Sequence, residues 1–226
     1  MRPRTLLFPT LLLILLGMVA GLGYTQLATA RDVAQVTDTS LPAPVLAGKV
    51  SVEEALAKRR SVRSFTQQGL SLQQIGQLAW AAQGITDKEG RRTAPSAMGV
   101  CPLQLYVVVS DGVYRYLPEG HKLTKLSGSD VRAALSSQGS VRGAPLDFVI
   151  VGDFAKARAR FGERAERFVS LEAGHIAQNI HLQAVALGLG SVPVGGYRDD
   201  DVTKALGLAA QELPLYIIPV GYPRAG

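Results

Sequence analysis

The sequence predicts an α+β domain, and two observations carry that reading. Residues 103–109 (LQLYVVV), 146–151 (LDFVIV) and 215–220 (LYIIPV) are β-branched and aromatic runs, read as strands buried on both faces. Helical periodicities fall between them without a regular strand–helix–strand beat, which separates the chain from doubly wound folds. No internal repeat is present.

The elements follow in chain order. The basic start MRPR precedes an uncharged apolar run over residues 6–23, and Ala28-Thr29-Ala30 forms an AxA-like cleavage site. Residues 1–30 therefore read as a signal peptide or an N-terminal membrane anchor, the run being near the lower length for a span. Either form holds the following domain outside the cytoplasm, in the periplasm or cell envelope. The apolar run has no Cys beside it and no Arg-Arg pair before it, which excludes lipoprotein and twin-arginine layouts. Residues 31–49, rich in Pro, Ala, Thr and Ser, read as a linker, and 50–226 as the folded domain.

Ser51 and Glu54 form a capping-box pattern opening a helix with Val52, Ala55 and Leu56 on one side. Ser71 caps a second helix, whose Leu72, Ile75, Leu78, Ala79 and Ala82 recur at helical spacing up to Gly84. Residues 90–98 form a loop before the first buried strand. Asp111-Gly112 is a hairpin turn into a strand over 113–117. Residues 130–138 are expected as a short helix and 154–167 as a charged, exposed one. Residues 169–188 form a helix apolar nearly all round, buried between core layers or in a subunit interface. A last short helix runs from Asp200 to Gly207.

Composition narrows the function classes. The chain has 226 residues with one Cys, Cys101, and three His, which leaves no disulfide framework and no metal-ligand spacing. The domain is long enough to bury its own core. Its 24 Lys and Arg against 18 Asp and Glu give +6, compatible with nucleic acid, an anionic membrane or a phosphate-bearing ligand. Basic residues do not interleave with aromatics along one element and no nucleic-acid motif occurs, so nucleic acid is excluded as a partner. His175 and His181 lie six apart on one helix and do not face a common ligand. Cys101 has no activating neighbour in sequence and reads as a packed, inert thiol.

Four segments can carry chemistry. Lys58, Arg59, Arg60 and Arg63, interrupted by Ser61, offer guanidinium and hydroxyl donors to a phosphate. The same residues also read as a solvated helix end, favoured by the helix dipole. Residues 94–99 (APSAMG) are small enough for a flat ligand to approach, or form a plain turn. Residues 188–197 (GLGSVPVGGY) free the backbone to present N–H groups, without a dinucleotide-binding glycine pattern. Arg224 closes the chain after the last strand, where a lone Arg is usually solvated.

Taken in order, these segments resemble the nitroreductase family of FMN-dependent oxidoreductases. RRSVRSF from Arg59 matches its opening flavin motif, APSAMG its PS-containing loop, GLGSVPVGGY its late glycine loop, and EAGHIAQNIHLQA from Glu172 its central helix. Within the family the chain is similar to the SagB-type, azoline-oxidising dehydrogenases. The marks are PSAxGxxPLxLYVV from Pro95, GVYRYLPEGHKL from Gly112 and AGHIAQN from Ala173.

The resemblance implies a nitroreductase-like fold: a mostly antiparallel sheet flanked by helices, a long buried central helix and an intertwined homodimer. It implies FMN as cofactor, NAD(P)H as candidate electron donor, and a small-molecule or peptide substrate. By position, Arg59, Arg60 and Ser61 would hold the FMN phosphate and ribityl chain, and Arg63 the pyrimidine edge. Pro95 and Ser96 would line the flavin from the second subunit. Val194, Gly195 and Gly196 would lie along the ring with an N–H toward its hydride-accepting atom, and Arg224 would be a late phosphate ligand. The implied mechanism is ping-pong hydride transfer, with no protein residue singled out as catalytic. Commoner members carry Glu where this chain has Gly195 and Asn where it has Gly99, so the ring would meet a smaller, less polar wall. The alternative is a catalytically silent flavin-binding or scaffold protein of the cell envelope, since an unfolded exported chain cannot carry FMN with it.

Overall fold

The computed structural model describes residues 37–224. The leader expected over 1–30, and with it the apolar run 6–23, lies outside the described residues. Among the described residues no helix is long and apolar enough to cross a membrane.

Seven strands form one sheet in the order β1-β4-β3-β2-β5-β7-β6, every neighbour antiparallel. They are β1 Asp38–Ser40, β2 Leu103–Val109, β3 Gly112–Leu117, β4 Lys122–Ser127, β5 Leu146–Asp153, β6 Gly190–Ser191 and β7 Glu212–Gly221. The helices are α1 Val52–Lys58, α2 Leu72–Gln83, α3 Arg132–Leu135, α4 Gly139–Arg142, α5 Phe154–Phe161, α6 Ala165–Ala186 and α7 Asp199–Leu206. The fold is α+β, as the sequence predicts.

The central strands are apolar on both faces because both faces are covered. Leu105, Val107, Phe148, Ile150 and Ile218 point into a core shared with α2 and α6. Tyr106, Val108, Val149, Val151 and Ile217 point the other way, into a second core with Leu135, Val141, Val202 and Leu206 from α3, α4 and α7. Phe148 is fully buried, and such a side chain contributes about 2–3 kcal/mol through the water it sheds. Pro214 in β7 sits where the β5–β7 register shifts, a place that spares the missing N–H.

Several expectations are corrected. The expected linker 31–49 carries β1, which pairs with β4, and Leu41, which enters the core. Its polar groups are met from far along the chain: Thr124 Oγ1 donates to Asp38 (2.6 Å), and Val45 N donates to Gln77 Oε1 (2.7 Å). Composition alone cannot reveal such distant partners. Strand β4 escapes sequence reading because KLTKLS buries only Leu123 and Thr124.

The helix expected over 130–138 is two short ones. Ser136 is extended (φ −162°) and its hydroxyl accepts from Gln138 N, ending α3. The charged helix expected over 154–167 stops at Phe161, because Gly162 takes a left-handed φ of 57°. After a 3-10 turn the chain re-enters a helix at Ala165, and Phe161 meets Phe168 at 4.7 Å. Helix α6 is therefore longer at its start than expected. Within one chain its Ile176, Ile180 and Ala184 face the core, while Leu171 is 52% exposed and Gly174, His175 and Gln178 lie open. On α1 only Ala55 is buried, with Val52 and Leu56 facing out.

Candidate active site

The capping serine of α1 accepts from Glu54 N at 3.1 Å, and the chain leaves the helix at Arg59 in extended geometry. Residues 61–66 then lie in a slot between β6 and the C-terminal tail. Ser61 bridges Ser191 in parallel, and Val62 N donates to Ser191 O (3.0 Å). Phe65, buried, bridges Pro223, while Thr66 N donates to Tyr222 O (2.9 Å) and Arg224 N to Ser64 O (3.0 Å). The buried Phe65 is the anchor, and Ser61, Arg63 and Ser64 stay at the surface.

Two glycines make the slot possible. Gly190 and Gly221 are register partners of β6 and β7. A Cβ on Gly190 would come 2.7 Å from Val62 Cβ, and one on Gly221 would come 2.7 Å from Pro145 Cδ and 3.2 Å from Phe65 Cβ. Neither stands among the residues predicted for the site. Their signal was present only as small residues beside a strand.

The slot brings Arg63 and Arg224 to one polar cleft of ≈ 190 Å³, completed by Ser64, Gln67, Gly139 and Gly143. Neither guanidinium has a carboxylate within 4.0 Å among the described residues. Arg60 behaves differently. Its guanidinium turns back to donate to Ala57 O (3.0 Å) and Arg59 O (2.7 Å), closing the end of α1. The helix-end reading of the basic run thus describes Arg60 as it stands here.

The late glycine loop reaches the same region. Val194 exchanges both backbone hydrogen bonds with Ile217, its N–H donating at 2.8 Å. That N–H is spent, which narrows the expected donor to Gly195 or Gly196; neither N–H has a partner among the described residues, and both residues are exposed. Gln138 Nε2 donates to Gly196 O at 2.7 Å, so the α3–α4 connection props the loop.

Beneath the slot, His181 on α6 is buried, with Nδ1 2.8 Å from Ser191 Oγ and Nε2 unpartnered. Burial, reinforced by the positive Arg59, holds its pKa down at about 4, so the ring is neutral. His181 is thus a buried support for Ser191, with one ring nitrogen met and the other without a partner among the described residues.

Pro95 and Ser96 do not join this cleft within one chain. Ser96 Oγ donates to Glu172 (2.5 Å) and accepts from Cys101 N (2.9 Å). Glu172 lies nine residues before His181 on α6, about 14 Å along the axis at 1.5 Å per residue. The two halves of the predicted site therefore occupy different ends of one helix. That is the arrangement expected if a second copy supplies the PS loop.

Several features fit a flavin phosphate and ring. The Arg63 and Arg224 guanidinium groups and the Ser64 hydroxyl line one cleft, Arg63 also donating to Ser61 O at 3.5 Å. Gln138, next to the cleft's Gly139, holds the glycine loop whose Gly195 and Gly196 N–H groups have no partner among the described residues.

The fold is α+β with a polar cleft beside β6, and comparison with known proteins places it. The nitroreductase family model matches residues 56–222. A candidate nitroreductase of Methanocaldococcus jannaschii is 36% identical over 183 residues, spanning 76% of this chain and 91% of its own. An FMN reductase (NADPH) of Bacillus subtilis is 28% identical over 193 residues, spanning 75% of this chain and 65% of its own. The crystal structure of a candidate nitroreductase from Ralstonia eutropha matches with a TM-score of 0.77 at 31% identity, covering 84% of this chain and 90% of that one. The chain belongs to the nitroreductase family, and it is an oxidoreductase of nitroreductase-like fold.

Proposed function

We propose that this protein is an FMN-dependent oxidoreductase that works as a homodimer, passing electrons from a donor such as NAD(P)H to a small-molecule or peptide acceptor in two half-reactions. The observation that carries this reading is the meeting of Arg63 and Arg224 at one cleft whose Gly139 follows Gln138, the residue that donates to the Gly196 carbonyl of the late glycine loop. Bound FMN would supply hydride acceptance and release at its N5 atom. The protein's part is to bind and orient. Arg59, Ser61 and Arg224 take the phosphate end, with Arg60 joining once its guanidinium leaves the helix carbonyls. Arg63 sets its charge against the pyrimidine edge, where negative charge accumulates on reduction. The N–H groups of Gly195 and Gly196 face the ring, with Val194 as their anchor to β7.

Homodimerisation is supported by what one chain leaves open. Val52, Leu56 and Leu171 are each more than half exposed, on α1 and α6, and Pro95 and Ser96 lie away from the cleft they are assigned to. The SagB-type branch is supported by the motifs at Pro95, Gly112 and Ala173. The leader in residues 1–30 supports a domain held outside the cytoplasm, by export or by anchoring through 6–23.

An absorbance spectrum of the purified protein tests the cofactor. Flavin bands retained on purification, or recovered on adding FMN, are expected. Protein that stays colourless with FMN present overturns the assignment and favours the silent scaffold. Turnover with NAD(P)H separates an enzyme from a protein that only binds flavin.

A further inference from the structure

Beside the Gly196 carbonyl held by Gln138 opens a groove of ≈ 970 Å³ between α3 and α7, the size of a small-molecule site. It exists because its walls are short: Ala133, Ala134, Ser136 and Ser137 on one side, Ala205 on the other. Tyr197, half-buried, lies in it immediately after the two glycines. The groove is not neutral. Arg142, Arg198 and Lys204 line it against one carboxylate, Asp201, which Arg198 already engages at 3.5 Å. Arg142 and Lys204 have no carboxylate within 4.0 Å among the described residues. Asp199 and Asp200 share the first turn of α7 but do not line the groove.

From this juxtaposition we infer that the groove is the substrate site, and that it takes a flat, conjugated molecule carrying a carboxylate, sulfonate or phosphate. The flat part lies against Tyr197 and the small-residue walls, and the anionic group reaches Arg142 and Lys204. Tyr197, which also packs against the second core, and the alanine walls supply apolar contact without directional demands. Two cations lining one groove, neither with a carboxylate within 4.0 Å among the described residues, favour an anion by attraction. The inference rests on the assignment of the Gly195–Gly196 loop to the flavin, since that assignment sets the groove beside the reacting ring.

The test has a binding arm and a turnover arm, both on the full chain. Titration calorimetry with naphthalenesulfonate and with neutral naphthol should give an affinity about tenfold higher for the sulfonate, weakening with added salt. The Arg142→Gln/Lys204→Gln pair, both surface changes, should erase that preference while its melting temperature stays at the wild-type value. Equal binding of both probes, or a preference that survives the double substitution, overturns the inference. In turnover, NADPH + H⁺ + quinone gives NADP⁺ + hydroquinone, with the quinone taking both electrons. Naphthoquinone sulfonate should then show a higher kcat/KM than naphthoquinone, the advantage falling about tenfold in the pair variant. Failure to bind FMN, or to turn over either quinone, removes the flavin reading and with it the groove's role as substrate site, while the binding arm still reads the groove's anion preference without the cofactor. A sulfonate preference there with no turnover keeps the groove as an anion site and discards its role in catalysis.

Discussion

Ser96 and Glu172 are joined by a 2.5 Å hydrogen bond that ties the PS loop to the long helix α6. The loop needs such a tie. Met98 (φ 52°) and Cys101 (φ 47°) both hold left-handed backbone, which non-glycine residues adopt only at a cost. Ser96 Oγ accepts from Cys101 N as well, so one hydroxyl connects the strained turn to the helix. Burial pushes the Glu172 carboxyl above its usual range, against the opposing effect of the Ser96 hydrogen bond. Glu172→Ala is expected to lose about 1–3 kcal/mol by denaturant unfolding, with Glu172→Gln retaining most of it. An alanine variant as stable as wild type would show that the loop is held by something else.

The glycine pair under the slot gives a sharp contrast. Gly190→Ala forces a Cβ to 2.7 Å from Val62 Cβ, so residues 61–65 must lift. A loss of about 1–3 kcal/mol is expected, together with weaker FMN binding in a fluorescence titration. At Gly195 the added Cβ would meet Tyr216 at an ordinary 3.6 Å. Gly195→Ala should therefore leave the melting temperature unchanged. Equal damage from the two would refute the slot argument.

Arg63 and Arg60 differ in what their guanidinium groups do, and the difference is measurable. Arg63→Ala removes a cation from the cleft and should weaken FMN binding about tenfold or more. Arg60→Ala removes two bonds to the carbonyls ending α1 and should lower stability by about 1 kcal/mol. If Arg60→Ala also loses flavin, its guanidinium leaves the helix end to reach the phosphate.

Asp147 provides a pH prediction. It is fully buried on β5, neither carboxylate oxygen has a partner, and burial raises its pKa well above the usual value despite nearby Arg132. Burial favours the protonated form in the folded state, while the unfolded chain ionises above about pH 4. Its contribution is thus present below pH 4 and lost as pH rises toward the folded pKa. Asp147→Val should stabilise the protein at pH 7 by about 1–4 kcal/mol, the gain shrinking toward pH 4. His181 has the opposite sign. Its lowered pKa means stability present above about 6.5 and lost as pH falls toward 4. His181→Asn should flatten that slope, read as melting temperature against pH.

The open apolar side chains on α1 and α6 predict self-association. Leu171→Glu and Leu56→Glu should each shift a dimer to monomer in analytical ultracentrifugation, by burying a charge in a contact made by apolar groups. A wild-type monomer would contradict the shared-site reading.

Sequence by itself determined the class. Strand β2 was legible at its full length because LQLYVVV has one physical solution, burial on both faces. Helix α2 was legible because Ser71 caps it and Leu72, Ile75, Leu78, Ala79 and Ala82 recur at helical spacing, and the structure adds the reciprocal bond from Gln74. The basic, PS and glycine segments were visible as motifs because their residue types limit what the backbone there can do. Other features depended on partners distant in sequence, and local pattern carries no trace of those. Leu41 becomes core only through β4, Gly190 and Gly221 matter only because Val62 and Phe65 descend on them, and Asp147 and His181 are unusual only for what surrounds them. Only the tertiary structure decided which N–H groups of the late loop are free, since Val194 gives its own to Ile217. It also set Ser96, tied to Glu172 on α6, apart from the Arg63 cleft within one chain, the separation that the resemblance implies when it assigns the PS loop to a second subunit.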